Sequence, residues 1–429
     1  MAHCLAIRYG SASVIDAAGD VLIRSEASDS PDYPIASCPN RAQLLELAAT
    51  LAGKFASRAA SHDANGSFPY ENFADLRSAH YPALTVPVAL GGWGATMLDA
   101  VMAQETLAMG DGSTALAMTM HVQTLGVANS EKWNRSLYET LCRDVITRGA
   151  LVNACASEPE LGSPSRGGRP STTAVLTADG WRINGRKTFA SMSPVLDYFI
   201  IPAAVTAADS RQESEQIGRF LVPRQPGIVI ENTWDSMGMR STGSNDIILT
   251  DVQVPPEALI SIGSPSAPDP NRAVQNAWFA TTVSAVYLGV AAAAQKVAIE
   301  FAHQRVPTAL GKPIATLESI QRRLGESELA LQSARTILYH TAEQWDRFPD
   351  GRADLGEALM IAKLTVTNAA AAIVDHAMRV VGGTSMSHQL PLERYYRDVQ
   401  AGLFHPPGDD SALPLLGRLA LQRFVPPSP

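Results

Sequence analysis

The chain has 429 residues, 46% of them hydrophobic and 18% charged, with 42 acidic against 34 basic side chains and a formal net charge of −8. That length allows about three domain-sized units, and the apolar share can bury a large core, which excludes a wholly disordered chain. An acidic chain lacks the basic footprint that phosphate backbones require, so nucleic-acid binding is not expected.

Four cysteines, Cys4, Cys38, Cys142 and Cys155, form no CxxC pair. Neither a zinc ribbon nor another metal site is therefore expected, and isolated thiols fit a reducing cytoplasm. The opening MAHCLAIRYG lacks a basic region followed by an apolar one, so no signal peptide is read. The weakly polar run over residues 283–294 is too short to span a bilayer and reads as a buried helix.

Residues 1–40 hold short β-like runs among Ser, Asp and Pro and are set apart as an N-terminal extension. From Arg41 the period becomes helical, with Leu44, Leu47 and Leu51 on one face. Helical character returns over 97–109 and 113–127 after a Pro- and Gly-containing loop at 82–93, which defines an α-helical domain over 41–150. Between 151 and 265 the chain breaks into short β-rich runs. Asp179-Gly180 and Asn184-Gly185 read there as hairpin turns. Strands without intervening helices predict a small antiparallel barrel or sandwich. Residues 266–429 return to long amphipathic helices. Val283, Val286 and Val290, then Leu324, Leu331 and Leu338, then Leu359, Val366 and Ile373 carry three of them, which predicts a four-helix bundle.

No GxGxxG follows a strand, and no Walker loop, HExxH or GxSxG is present. Four other stretches stand out: VPVALGGWG at 86–94, ASEPELGS at 156–163, NGRKTFAS at 184–191, and GGT at 382–384 followed by PLERYYRD at 391–398. In this order they resemble the acyl-CoA dehydrogenase superfamily over about 68–421. The resemblance implies an α+β, three-domain fold with a flavin, FAD or FMN, as cofactor and a homotetrameric assembly.

By the same resemblance Ser157 hydrogen-bonds the flavin pyrimidine, within a turn that includes Gly162 and Ser163. Phe189 stands where the family has a Trp and packs on the isoalloxazine, for which a π-face suffices. Ser191 supplies a hydroxyl near flavin N5. Gly382 and Gly383 let backbone approach the adenosine diphosphate half. Arg305 and Gln321 reach the pyrophosphate and adenosine of a neighbouring subunit, though Leu310 replaces a Phe and the spacing is two residues longer. MGMRSTGS at 237–244 matches a further element of the β domain. Taken residue by residue, Ser157 also fits an ordinary turn, Phe189 a hairpin core, and Arg397–Asp398 an ion pair in the bundle.

The dehydrogenase reaction needs a carboxylate base. The family's two positions for it correspond to Pro406 and Phe279, neither of which takes a proton, and Asp409 and Asp410 are merely close in sequence. His405-Pro406-Pro407 resembles instead the flavin-dependent monooxygenase branch, typified by dibenzothiophene monooxygenase, where a His acts beside the flavin. An imidazole with an ordinary pKa near 6.5 could supply the proton that a C4a-hydroperoxide needs, or be a plain loop histidine. His121 is either a satisfied core histidine, the commoner case, or a catalytic one; His376 and His388 carry less weight. The reading is a two-component monooxygenase acting on a small-molecule heteroatom and fed by a flavin reductase. An acyl-thioester dehydrogenase or oxidase with a relocated base, or a non-catalytic flavin-binding protein, are its rivals.

Overall fold

The computed structural model describes residues 14–15, 21–22, 39–131, 133–161, 168–207, 216–264 and 271–424. Residues 1–35 and 36–429 form two compact units. In the first, β1 (Val14–Ile15) pairs antiparallel with β2 (Val21–Leu22); most of the N-terminal extension lies outside the described residues.

The second unit begins with five helices: α1 (Arg41–Asn65), α2 (Tyr70–Ser78), α3 (Met97–Ala108), α4 (Gly112–Ala128) and α5 (Arg135–Arg148). Local chemistry sets their ends. Asn40 and Thr96 make capping boxes with Gln43 and Asp99, and Gly66 and Gly149 close α1 and α5 in the left-handed conformation. Every residue of α4 is buried, so it is the central helix of this layer.

The β strands are β3 (Val152–Ala154), β4 (Thr173–Thr177), β5 (Gly180–Ala190), β6 (Tyr198–Ala207), β7 (Ile217–Pro223), β8 (Ile228–Glu231), β9 (Asn245–Val254) and β10 (Leu259–Gly263). They form one sheet in the order β10-β7-β6-β4-β5-β9-β8, with β3 also on β6. The sheet is mixed where full antiparallel pairing was expected, because β3 and β4 both run parallel to β6. Asp179 and Gly180 stand at the β4–β5 turn, as expected. Asn184-Gly185 does not turn the chain. It lies inside β5, where the register with β9 shifts between Ile183 and Gly185. Gly185 has φ 155°, and a Cβ there would meet Thr172 Oγ1 at 2.5 Å. The dipeptide makes a bulge, which needs the same permissive residue as a turn.

The C-terminal layer comprises α6 (Arg272–Gln304), α7 (Glu318–Arg347), α8 (Gly356–Val381), α9 (Leu392–Phe404) and α10 (Asp409–Gln422). Helix α6 is long and apolar enough to cross a membrane, but 94% of its most apolar window is buried inside the protein. Its hydropathy is therefore that of a core helix.

Buried charges join the layers. Glu131 accepts from Trp133 Nε1 at 2.6 Å, Arg219 Nη1 at 2.9 Å and Gln275 Nε2 at 2.8 Å, which ties the end of α4 to β7 and α6. Glu105 on α3 accepts from Arg335 Nη2 at 2.6 Å and Tyr339 Oη at 2.7 Å on α7. Arg397 pairs with Asp63 of α1 at 2.5 Å and with Glu393 at 2.9 Å. Asp398 turns away from Arg397 and accepts from Met239 N at 2.6 Å. Neighbours along a helix point to different sides, so the expected Arg397–Asp398 pair does not form.

Candidate active site

Two of the sequence stretches meet at the sheet. Thr188 N donates to Ser157 O at 2.9 Å, and beneath this contact Lys187 Nζ donates to Glu158 Oε1 and to Pro202 O, both at 2.6 Å. Glu158 also accepts from Ser171 N at 2.5 Å and Thr172 N at 3.2 Å. Lys187 and Glu158 are fully buried. Burial alone would raise the Glu158 pKa, but Lys187 and the donors at Thr172 and Ser171 outweigh it and hold the carboxyl below its usual range. A satisfied buried pair of this kind fixes one geometry for the two segments. Ser157 is half-buried. Gly162 and Ser163 lie outside the described residues.

Phe189 follows this anchor. It is 66% exposed, so its ring is no part of a hairpin core. Its φ is 55°, in the left-handed region that few non-glycine residues occupy, and the register of β5 with β9 shifts between Lys187 and Ala190. Its ring meets Trp234 edge-to-face at 5.9 Å. Trp234 is held in turn by Nε1 donating to Met239 O at 3.0 Å and by its backbone N–H donating to Asn245 Oδ1 at 3.1 Å. Strain and an open aromatic face that the fold does not need point to a ligand. Ser191, two residues on, is half-buried. Its carbonyl accepts from Asn153 Nδ2 at 3.1 Å, and its hydroxyl lies 2.8 Å from Ser244 Oγ, which lies 2.7 Å from Thr242 Oγ1.

A second constellation forms where α9 gives way to α10. His405, half-buried at the end of α9, places Nε2 2.8 Å from Tyr287 Oη on α6. Its ring packs edge-on against Phe279 at 5.7 Å and obliquely against Tyr287, also at 5.7 Å. Phe279 and Tyr287 are about two turns apart on α6, close enough in rotation to share a side. Gly402 permits the approach, since a Cβ there would lie 2.8 Å from the Tyr287 ring. Loss of solvent, and secondarily the Lys363 ammonium, push the His405 imidazole down to about 4. Lys363 is itself buried on α8 with no hydrogen-bond partner. His405 is therefore a neutral imidazole at pH 7, where its unperturbed pKa would leave about a quarter of it protonated. Burial also raises the Tyr287 pKa far above its ordinary value, so its hydroxyl keeps its proton.

His121 stands apart from both constellations. It is fully buried, Nε2 lies 2.9 Å from Pro82 O, and Nδ1 accepts from Val152 N at 3.1 Å. Both ring nitrogens are committed to backbone, so His121 is the satisfied core histidine and has no ring nitrogen left for catalysis. His388 is exposed beside Glu393 at 3.2 Å, and His376 lies 4.0 Å from Glu326. Asp409 Oδ2 accepts from Asn368 Nδ2 at 3.0 Å. Among the described residues, neither Asp409 nor Asp410 bonds to His405, Tyr287, Phe189 or Ser191. Cys142 and Cys155 are buried and their thiols are pushed up to about 12, which leaves no thiolate nucleophile there.

The remaining expected cofactor residues lie elsewhere. Gly382 and Gly383 line a cleft of about 670 Å³ with Met386, His388, Tyr396 and Arg397. Arg305, exposed, caps α6, and Gln321 Nε2 donates to Ala315 O at 3.0 Å. Among the described residues, no hydrogen bond joins either to Gly382 or Gly383.

Tyr287, Trp234 and Asn153 were missed in the sequence. Tyr287 carried a usable signal, a tyrosine two residues before Gly289 on the helix that supplies the family's second base position. Thr242 and Ser244 lay inside a quoted motif, but without a role.

The family model for the N-terminal domain of acyl-CoA dehydrogenases matches residues 40–130, that for the middle domain residues 153–252, and that for the C-terminal domain residues 281–406. The chain is 40% identical to the putative acyl-CoA dehydrogenase YdbM of Bacillus subtilis (strain 168), over 89% of this chain and 97% of that one. It is 30% identical to the amino sugar nitrososynthase RubN8 of Streptomyces rubradiris, over 85% and 86%. FMN-bound TdsC from Paenibacillus sp. A11-2, a dibenzothiophene monooxygenase, shares the fold with a TM-score of 0.79 at 20% identity, covering 90% of this chain and 99% of that one.

Proposed function

This chain belongs to the acyl-CoA dehydrogenase family of flavin-dependent oxidoreductases, and from that premise we propose that it is a two-component monooxygenase of small-molecule heteroatoms. A separate reductase provides reduced FMN or FAD. One atom of O2 goes to a nitrogen or sulfur of the substrate, the other leaves as water, and the two electrons come from the reduced flavin. One observation carries the reading. The Phe279 ring packs against His405, whose imidazole is bonded to Tyr287, and by the resemblance Phe279 and Pro406, the neighbour of His405, stand where a dehydrogenase would carry its carboxylate base. A relative named for making a nitroso group on an amino sugar supports nitrogen as the oxidised atom.

The residues present fit a flavin. Phe189 offers an open aromatic face on a strained, firmly backed segment. Ser191 offers a hydroxyl at the edge of that face, and Ser157 a second one across the Thr188–Ser157 backbone contact. When bound, the flavin supplies the electrons and activates oxygen. The chain orients the ring through Phe189 and Ser191, and it keeps a neutral His405 aligned by Tyr287. A neutral imidazole offers one N–H and one lone pair, so it can give a hydrogen bond to oxygen or take the proton of an attacking amine. Phe404, Leu421 and Phe424 are 85%, 76% and 83% exposed. That apolar surface favours burial against further copies, a homotetramer as in the family. The enzyme, its reductase and its isolated thiols suit the cytosol.

The test is turnover with anaerobically reduced flavin, then ¹⁸O2, over a panel of amines and thioethers. Transfer of ¹⁸O into product is the expected result. YdbM's name favours the second reading, a dehydrogenase with a relocated base. Bleaching of bound flavin by an acyl-CoA without oxygen would establish it instead. Flavin binding with neither reaction would leave a non-catalytic flavoprotein.

A further inference from the structure

Two buried polar ends near the His405 turn have no hydrogen-bond partner among the described residues: Lys363 Nζ on α8 and Asp409 Oδ1 in the first turn of α10. Lys363 is 1% exposed. The two groups carry opposite charge, yet they do not bond to each other. The other carboxylate oxygen shows why. Asp409 Oδ2 accepts from Asn368 Nδ2 at 3.0 Å, and the same amide donates to Leu364 O at 2.9 Å. Asp409 is thereby fixed beside Asn368, which stands about 7.5 Å farther along the α8 axis than Lys363. Side chains of a helix lean toward its N-terminus, which works against direct pairing.

Electrostatics tie both groups to His405. Asp409 acts on Lys363, opposing the loss of solvent that pulls the ammonium pKa below its ordinary value. Lys363 in turn acts on His405. His405 closes α9 and Asp409 opens α10, so one short turn joins them. A buried ammonium without an acceptor is costly, and a buried carboxylate oxygen calls for a donor. The two charges cancel, so an anion placed between them would face Asp409 and a cation would face Lys363. A neutral group that accepts on one side and donates on the other satisfies both. A hydroxyl does so with a single atom.

We propose that Lys363 and Asp409 form a substrate subsite for a neutral hydroxyl group beside His405, so that the substrate is a hydroxylated amine or thioether. The inference rests on the monooxygenase reading above for the reacting atom, but not for the hydroxyl. Lys363 Nζ donates to the hydroxyl oxygen, and the hydroxyl proton goes to Asp409 Oδ1. A site built in this way rejects an analogue that lacks the hydroxyl, because its own buried polar groups are then left unpaired.

The experiment measures dissociation constants by calorimetry for the full chain in the presence of FMN, with pairs of compounds that exchange a hydroxyl for a methyl. The probes are aminocyclohexanol against methylcyclohexylamine, and methylthiopropanol against butyl methyl sulfide. The wild type should hold the hydroxyl compound of each pair at least about tenfold tighter. Lys363→Met, of similar length and uncharged, should lower that ratio several-fold toward one. Asp409→Asn keeps an acceptor for Asn368, turns the other end into a donor, and should lower the ratio as well. Lys296→Met, on an exposed position of α6, should leave it unchanged. Equal affinity within the pairs means that the two side chains hold water only and overturns the subsite. No binding of either hydroxyl compound, or a wild-type ratio in both folded variants, also overturns it. A hydroxyl preference that the variants lose, without ¹⁸O transfer to any of these compounds, keeps the subsite and removes the monooxygenase reading.

Discussion

His405 Nε2 lies 2.8 Å from the Tyr287 hydroxyl, so a residue at the end of α9 is oriented by one from the middle of α6. The bond commits one ring nitrogen of His405 and leaves Nδ1 for a ligand. Burial keeps the ring neutral, with Lys363 adding to the effect.

His405 should therefore titrate well below an ordinary histidine. Depression of a base means that the folded state binds fewer protons than the unfolded one between about pH 6.5 and about pH 4. The stability contributed by the neutral ring is present above 6.5 and is lost as pH falls through about 4. An NMR titration of the imidazole should show no transition between pH 8 and pH 5. A midpoint near 6.5 would remove the electrostatic picture of the site.

Tyr287→Phe keeps the ring and deletes the bond. Oxygen transfer should fall about 100-fold, the low end of the scale for losing a well-placed hydrogen bond. Hydrogen peroxide release should rise relative to product, with flavin affinity unchanged. Comparing peroxide with product formation decides it, and normal coupling in this variant would assign Tyr287 to packing alone.

Phe189→Ala should weaken flavin binding without lowering the melting temperature. The ring is open to solvent and strained in φ, so the fold loses little by its removal. An aromatic stacking contact is worth about 0.5–1.5 kcal/mol beyond area burial, or roughly 2–12-fold in affinity. Trp234→Ala should give part of the same loss by freeing the Phe189 rotamer, and Trp234→Phe should restore most of it. Flavin titrations and thermal scans together check this.

Glu158→Ala strands the Lys187 ammonium in the core and should cost about 3–5 kcal/mol. The Glu158 carboxyl is held below its usual range, so its stabilisation is present above the unfolded carboxylate pKa and disappears as pH falls below it. Denaturant unfolding at pH 7 and pH 4 should show a smaller difference between variant and wild type at the lower pH.

Asp398 behaves in the opposite sense. Burial, helped by Asp111 and Asp63, raises its carboxyl to about 7 against the Met239 N–H that opposes the shift. The folded state binds the proton more tightly, so this group costs stability increasingly as pH rises from about 4 to about 7. Asp398→Asn keeps an acceptor for Met239 N and removes the charge. The melting temperature of the variant should gain on the wild type between pH 5 and pH 8, and a constant difference would refute the shift.

The sequence by itself determined the three-layer order and the family, because hydrophobic period, turn residues and short motifs are local properties. It placed the α3 and α4 boundaries within about two residues, since Thr96 and Asp111 cap them from adjacent positions. By the resemblance, it also put no acid at Pro406 or Phe279, where a dehydrogenase would carry its base. Tertiary structure alone decided the rest. Asn184-Gly185 is a bulge rather than a turn because β9 pairs across it. Arg397 reaches Asp63, which precedes it by more than three hundred residues. His121 is tied to backbone while His405 meets Tyr287, although both are histidines beside apolar residues. The protonation of His405 and the partner of the Ser191 hydroxyl depend on burial and on which atoms lie within hydrogen-bond reach. Both are set by packing between segments far apart in the chain, and no local pattern records them.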